Sequence, residues 1–110
     1  MDKESILKKA SQVAFKKTNG VVLRTINVLS GDFNEIELVK DVLADEGIDL
    51  SEFMDAVNYL MISEYIQIRR IDTHEDADLA DVSYKDCEAR LTQKGVQVLK
   101  GFIKDVAVEV

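Results

Sequence analysis

Proline and tryptophan are absent from this 110-residue sequence, and cysteine and histidine occur once each. The lone Cys87 excludes an internal disulfide and is typical of proteins of a reducing compartment. No apolar run approaches the ~20 residues that a membrane-spanning helix needs, and residues 1–4 lack the apolar segment of a signal peptide. Low-complexity and Gly/Ser-rich linkers are also missing. The sequence therefore predicts one cytoplasmic domain over residues 1–110.

Residues suited to catalysis or metal binding are scarce. His74 and Cys87 lie thirteen positions apart, and neither a glycine-rich phosphate loop nor a nucleophile elbow accompanies them. The acidic segment around His74 lacks the turn glycine and the regular spacing of a calcium loop. We therefore expect no enzyme activity, no metal and no cofactor. Residues 72–83 are expected to form a solvated acidic loop, and Cys87 to be a small buried apolar residue.

Charge is spread unevenly along the chain, whose formal net charge is −7. Residues 1–31 sum to +4, residues 32–64 to −9, and residues 65–110 to −2. An acidic segment is repelled by phosphate backbones, because non-specific nucleic-acid affinity comes mostly from Lys and Arg. The pattern disfavours DNA binding through the middle of the chain and leaves only local basic groups as candidates.

Apolar residues at helical spacing predict helices over residues 3–17, 21–30 and 35–46. Thr18-Asn19-Gly20 is expected to separate the first two. The second helix is expected to bury Val22, Leu23, Ile26 and Leu29. Asp49 or Ser51 is expected to cap a fourth helix, and Asp49 with Glu52 has the spacing of a capping box. This helix completes a three-helix core over residues 21–63.

After the fourth helix, the spacing of the apolar residues changes from helical to alternating. Alternation predicts a β-hairpin over residues 65–91, with strands at 65–71 and 84–91. Thr92 is expected to cap a last helix over residues 93–108. That helix would carry a wide apolar face that includes Val98, Phe102 and Val106.

Three helices, a hairpin and a closing helix follow the order of a winged helix. Two segments carry the resemblance: Phe53-Met54-Asp55-Ala56-Val57-Asn58-Tyr59-Leu60 with Glu64-Tyr65-Ile66, and Leu91-Thr92-Gln93-Lys94-Gly95-Val96-Gln97-Val98-Leu99-Lys100-Gly101. The second resembles the LTxKGxxxLxG entry to the last helix of many bacterial winged-helix proteins. The pattern is also similar to the small YjcQ-like family of phage-related and chromosomal proteins of Gram-positive bacteria.

This resemblance implies an α+β, mostly helical fold: a winged helix with an extra N-terminal helix and a C-terminal helix. The fourth helix would then stand where a DNA-reading helix stands. Glu64 occupies a position that such families usually give to glycine, so either the backbone there is mildly strained or the turn differs from that of the family.

The face that the fourth helix would present to DNA is poor in basic groups. It holds Glu52, Asp55, Asn58, Tyr59 and Ile62. Asn can pair with adenine, but two carboxylates without a compensating Arg or Lys would face the phosphates. The remaining candidates for nucleic-acid contact are Lys16, Lys17, Arg69, Arg70, Lys85 and Arg90.

These observations support three hypotheses. The first is a non-enzymatic regulatory or adaptor module that acts through protein contacts. Its candidate interface residues are Glu52, Asp55, Tyr59, Ile62, Val98, Phe102 and Val106. Helix 3–17 and the apolar face of residues 93–108 are natural candidates for a symmetric homodimer interface. The second hypothesis is a DNA-binding transcriptional regulator that uses the N-terminal lysines and the arginines at the hairpin base. The third, a prophage-encoded accessory protein, is implied only by the family resemblance.

Overall fold

The computed structural model describes residues 2–28 and 31–110 and has an α+β architecture. The elements in chain order are α1 (Lys3–Ile26), β1 (Asn34–Glu35), α2 (Ile36–Ala44), α3 (Leu50–Ile62), β2 (Ile66–Arg70), a 3₁₀ turn (Tyr84–Asp86), β3 (Cys87–Leu91) and α4 (Gln93–Leu99). The strands form an antiparallel sheet in the order β1-β3-β2. This arrangement is compatible with the winged-helix class. In the part of the chain described, no helix is long and apolar enough to cross a membrane.

Helix α1 runs without interruption through Thr18-Asn19-Gly20, so the predicted break at these residues is wrong. Asn19 is fully buried, and its side-chain amide donates to the carbonyl of Ala107 over 2.9 Å. A Cβ at Gly20 would overlap the backbone carbonyl of Glu109. Both residues thus serve a contact with the C-terminal segment, which is why they do not end the helix. Leu29 and Ser30, at the end of the predicted second helix, lie outside the described residues.

Helix α4 ends at Leu99, so the predicted helix over residues 93–108 is also wrong. Gly101 adopts a φ of +85°, and the N–H of Phe102 donates to the carbonyl of Gln97 over 2.8 Å. This is a Schellman closure, which glycine favours because it has no Cβ. Residues 102–110, here called the C-terminal tail, then cross α1 without regular structure, and the N–H of Glu109 donates to the carbonyl of Lys16 over 3.0 Å.

The predicted starts of α3 and α4 are confirmed. The carboxylate of Asp49 accepts from the N–H of Glu52 over 2.8 Å, and the Glu52 side chain accepts from the N–H of Asp49, which completes the capping box. The hydroxyl of Thr92 accepts from the N–H of Gly95 over 3.1 Å. Glu64 takes a φ of +64° after α3, which is the left-handed conformation that the missing glycine suggested.

The hairpin register separates a buried from an open face of the sheet. Ile66 pairs with Leu91 and Ile68 with Ala89 on the buried face, whereas Arg69 pairs with Glu88 on the open face. The second hairpin strand begins at Cys87 rather than at residue 84, because the 3₁₀ turn precedes it. Strand β1 was not predicted, since two residues carry no measurable alternation.

One core lies between the C-terminal half of α1, the helices α2 and α3, and the buried face of the sheet. Its largest fully buried side chains include Phe53, Leu23, Ile26, Ile36, Leu43 and Leu60. Cys87 is fully buried among them, as predicted, and it forms no disulfide. Val98 also belongs to this core. The N-terminal half of α1 contributes nothing comparable, and it extends away from the core.

Candidate interaction surfaces

The open face of the sheet holds an aromatic ring between two arginines. The guanidinium of Arg69 lies 3.6 Å from the centre of the Phe33 ring, and that of Arg90 lies 4.6 Å from it. Arg69 also donates to Glu88 through Nε over 2.6 Å, in a salt bridge that is largely shielded from solvent. Sequence reasoning did not single out Phe33, because its position opposite β2 and β3 depends on the sheet register.

This arrangement commits the two arginines to contacts within the chain. A guanidinium over an aromatic face and beside a carboxylate has less charge to offer a phosphate. Arg90 further donates to the side-chain oxygen of Gln67 over 3.3 Å. The open sheet face therefore works as a cross-strand network that holds the hairpin together.

The other nominated basic residues stand on different elements. Arg70 donates to both carboxylate oxygens of Asp72, over 3.0 and 3.2 Å, and this contact lowers the pKa of Asp72. Lys16 lies 4.0 Å from the carboxylate of Glu109. Lys17 and Lys85 are exposed, on α1 and on the 3₁₀ turn respectively. The structure thus brings Arg69 and Arg90 together around Phe33, but among the described residues only Arg69 is paired with a carboxylate, that of Glu88.

The outward face of α3 is short of positive charge. At about 100° per residue, the direction opposite its buried side is occupied by Ser51, Asp55, Asn58 and Ile62. Glu52 is engaged in its own capping box. Ile62 and Asp55 remain exposed, as a contact surface requires.

Tyr59 is half-buried rather than exposed, which corrects its assignment to an open interface. Its ring meets Phe15 of α1 edge-on at 5.4 Å, and its hydroxyl donates to Oδ2 of Asp105 over 2.7 Å. The hydroxyl of Tyr65 donates to the same oxygen over 2.6 Å. Burial, together with the Asp105 carboxylate, raises the pKa of both tyrosines.

Asp105 is the point at which the tail is fixed to the body. Partial burial by itself would raise the pKa of its carboxyl group, but hydrogen bonds from Tyr65, the Ala107 N–H and Tyr59 outweigh it and lower that pKa. Its Oδ1 accepts from the Ala107 N–H over 2.9 Å. The carboxylate therefore stays ionised and joins the tail to α3 and to the start of β2.

Of the three apolar residues predicted for the interface on residues 93–108, Val98 was assigned wrongly, whereas Phe102 and Val106 are exposed. Val98 is only 1% exposed and packs in the core of its own chain. Phe102 and Val106 are 84% and 83% exposed, although they lie on the tail and not on a helix. A shallow groove places Val106 beside Val13 of α1.

The N-terminal half of α1, residues 3–14, is here called the arm. Residues 2–12 are all exposed, and the apolar side chains of the arm line one open groove with two lysines: Ile6, Lys9, Ala10, Val13, Ala14 and Lys17. This groove shares Lys9 and Val13 with the groove that reaches Val106. A continuous apolar stripe thus runs along the arm and onto the tail.

The stripe lies on the opposite side of α1 from the core. The buried side chains of α1 centre on Asn19, Val22, Leu23 and Ile26, whereas buried Gly20 lies against the tail. At about 100° per residue, Ile6, Ala10 and Val13 lie roughly 130–170° around the helix from that centre. Among the described residues, the core does not cover this second apolar face, and the tail reaches it at Val106 beside Val13.

The described residues contain no group of His, Cys, Asp and Glu that could hold a metal ion. Burial raises the pKa of the Cys87 thiol, which disfavours the reactive thiolate. No protein family, curated protein or solved structure matches this chain. Its own surfaces therefore carry the functional argument.

Proposed function

We propose that this chain is a non-enzymatic regulatory or adaptor module with a winged-helix fold, and that it acts through protein contacts rather than by reading DNA. One observation carries the proposal: the arm presents an apolar stripe that its own core does not cover. Exposed apolar surface of this kind, edged by polar groups, marks a contact site for another macromolecule.

The topology supports the winged-helix assignment. Helices α2 and α3 follow each other through the short turn at residues 45–49, as a helix-turn-helix pair does. Strands β2 and β3 enclose the loop at residues 71–86 and take the place of the wing. Strand β1 lies between α1 and α2 and adds a third strand beside β3.

The electrostatics weigh against a DNA-reading role. A recognition helix needs Arg, Lys or amide groups aimed at base edges and phosphates. Here the outward face of α3 carries Asp55 and no basic side chain. Arg69 and Arg70, at the hairpin base, are paired with Glu88 and Asp72.

A DNA-binding regulator is the second candidate, because α1 also carries Lys8 and Lys9 on the arm and Lys17 just beyond it. None of these lysines forms a salt bridge with another residue in the described part of the chain. They could neutralise phosphates. They stand on α1, however, and the winged-helix resemblance assigns DNA reading to α3.

Titration of a random-sequence fluorescent duplex, followed by anisotropy at ~50 and ~200 mM salt, separates the two functions. The protein-contact function predicts no binding at micromolar protein even at the lower salt. Micromolar or tighter binding that weakens steeply with salt would overturn it, because that slope reports phosphate neutralisation. Loss of such binding in a Lys16→Ala, Lys17→Ala variant would then establish the regulator function.

A further inference from the structure

We propose that the arm docks on the outward face of α2 in a second copy of this chain, and that two such contacts close a symmetric dimer. The inference rests on the proposed function and names its partner. It differs from a dimer built on residues 93–108, since those residues do not form one helix and Val98 is buried.

The outward face of α2 is the acceptor surface. Leu38 and Val42 stand one helical turn apart and are 57% and 47% exposed. Asp41 and the C-cap residue Asp45 lie along one edge of this apolar pair, and the N-cap residue Glu35 lies near the other. Asp41 is also paired with Lys40 of the same helix over 2.8 Å. The result is a short apolar strip with acidic edges.

The arm has the complementary character. Its apolar side chains Ile6, Ala10 and Val13 stand on one face, Lys9 lies along one edge, and Lys17 continues the stripe toward the body. A helix with an apolar stripe and basic edges fits an apolar strip with acidic edges, because apolar burial and charge pairing then occur in the same contact. The same complementarity is visible in the segment charges, +4 over residues 1–31 and −9 over residues 32–64.

Pairing one arm with another arm fits less well. Two copies of the same stripe would bring Lys9 and Lys17 of one copy toward the same lysines of the other, and like charges across an interface oppose association. The acidic α2 face removes that repulsion and also covers Leu38 and Val42. One contact then explains both exposed apolar surfaces.

The contact must join two molecules. Within one chain α2 packs on the C-terminal half of α1, whose core side points away from the stripe of the arm. The arm belongs to one continuous helix of 24 residues and cannot fold back onto α2. Reciprocal exchange between two copies satisfies both surfaces in each copy and yields a closed assembly with two-fold symmetry.

A charge-reversal exchange tests this arrangement. The arm variant is Lys9→Glu with Lys17→Glu, and the face variant is Asp41→Lys with Asp45→Lys. All four side chains are exposed, so the variants should fold, and circular dichroism checks that they do. The matched control for the arm variant is Lys8→Glu with Lys85→Glu, which makes the same change of charge as the arm variant but on the core-facing side of the arm and on the 3₁₀ turn.

Light scattering at micromolar concentration should give the unchanged chain and the control a mass of twice 12.4 kDa. The arm variant and the face variant should each give 12.4 kDa. An equimolar mixture of the two should recover the doubled mass, because each docking contact then pairs reversed with reversed or original with original charge.

Three results would overturn the inference: an unchanged chain that is monomeric, an arm or face variant that stays dimeric, or a mixture that fails to reassociate. If the unchanged chain is monomeric and does not bind the duplex, the dimer is rejected and the protein-contact function still stands. Salt-sensitive duplex binding would instead end the proposed function, so the two failures are distinguishable.

Discussion

Tyr65 donates its hydroxyl proton to Oδ2 of Asp105 over 2.6 Å, although the two residues are 40 positions apart in the chain. Tyr59 donates to the same oxygen, so one carboxylate joins α3, the start of β2 and the tail. Beyond this point the tail crosses α1, where Val108 is buried. The attachment at Asp105 therefore helps to hold residues 105–110 on the body, together with the hydrogen bonds from Asn19 to Ala107 and from Glu109 to Lys16.

Removing the Tyr65 hydroxyl should weaken this attachment. A hydrogen bond to a charged group contributes roughly 1.5–3 kcal/mol, so we expect Tyr65→Phe to lower the free energy of unfolding by an amount in that range. Urea denaturation followed by circular dichroism measures it. Tyr84→Phe is the matched control, because no hydrogen bond of the Tyr84 hydroxyl is present among the described residues. Equal effects of the two variants would contradict the role assigned to Asp105.

The attachment should also depend on pH. The pKa of Asp105 is lowered in the folded protein, so its contribution to stability is present above the ordinary aspartate pKa of about 3.9 and is lost as the pH falls through the lower folded value. The stability difference between the unchanged protein and Asp105→Asn should therefore shrink below about pH 4. Urea denaturation from pH 7 to pH 2 checks this, and a difference that stays constant across the range would refute it.

The raised pKa of Tyr65 predicts a loss of stability at high pH. Burial and the neighbouring carboxylate raise the pKa of Tyr65, so the stability it contributes is complete below the ordinary tyrosine pKa of about 10 and is lost as the pH rises beyond it. In urea denaturation, Tyr65→Phe should therefore lose less stability than the unchanged protein between about pH 10 and pH 12. A parallel loss in both proteins would show that Tyr65 does not titrate against folding.

Local signals predicted the element starts well, and distant contacts explain the errors. The Asp49–Glu52 capping box and the Thr92 cap act within three residues, so their pattern is complete in the sequence. Thr18-Asn19-Gly20 has the composition of a break, yet Gly20 meets a backbone about ninety positions away. Gly101 marks the end of α4, as a glycine after a helix often does. The prediction missed this end because the apolar residues beyond Gly101 continue the helical spacing.

The apolar stripe of the arm was predictable from the sequence only in part. The apolar and basic sides of residues 3–17 follow from periodicity alone. Their orientation relative to the core does not, because it depends on how the second half of α1 packs and therefore on the absence of a break at Gly20. Phe33 was missed because only the β1–β3 pairing places it against Arg69 and Arg90.

Glu64 should be replaceable by glycine with a gain in stability. Its φ of +64° costs a residue with a Cβ roughly 1–2 kcal/mol, and glycine avoids most of that cost while loosening the unfolded chain. We expect Glu64→Gly to raise the free energy of unfolding by about 0.5–1 kcal/mol in urea denaturation. Glu64→Ala is the control, since it removes the carboxylate but keeps the Cβ. If both variants stabilise equally, the charge and not the backbone is responsible.

Gly20 offers a test in which helix propensity and packing predict opposite signs. In an ordinary helix interior, Gly→Ala stabilises by about 1 kcal/mol. At Gly20 the new Cβ would overlap the Glu109 carbonyl, and Arg24, which donates to that same oxygen over 3.0 Å, would have to move with it. We therefore expect Gly20→Ala to lower the free energy of unfolding. It should also speed hydrogen exchange at the Glu109 amide, which donates to the Lys16 carbonyl.

Ser11→Ala, on the exposed arm, is the control and should be neutral or slightly stabilising. A stabilising Gly20→Ala with unchanged exchange at Glu109 would mean that the tail does not cross α1 at this position.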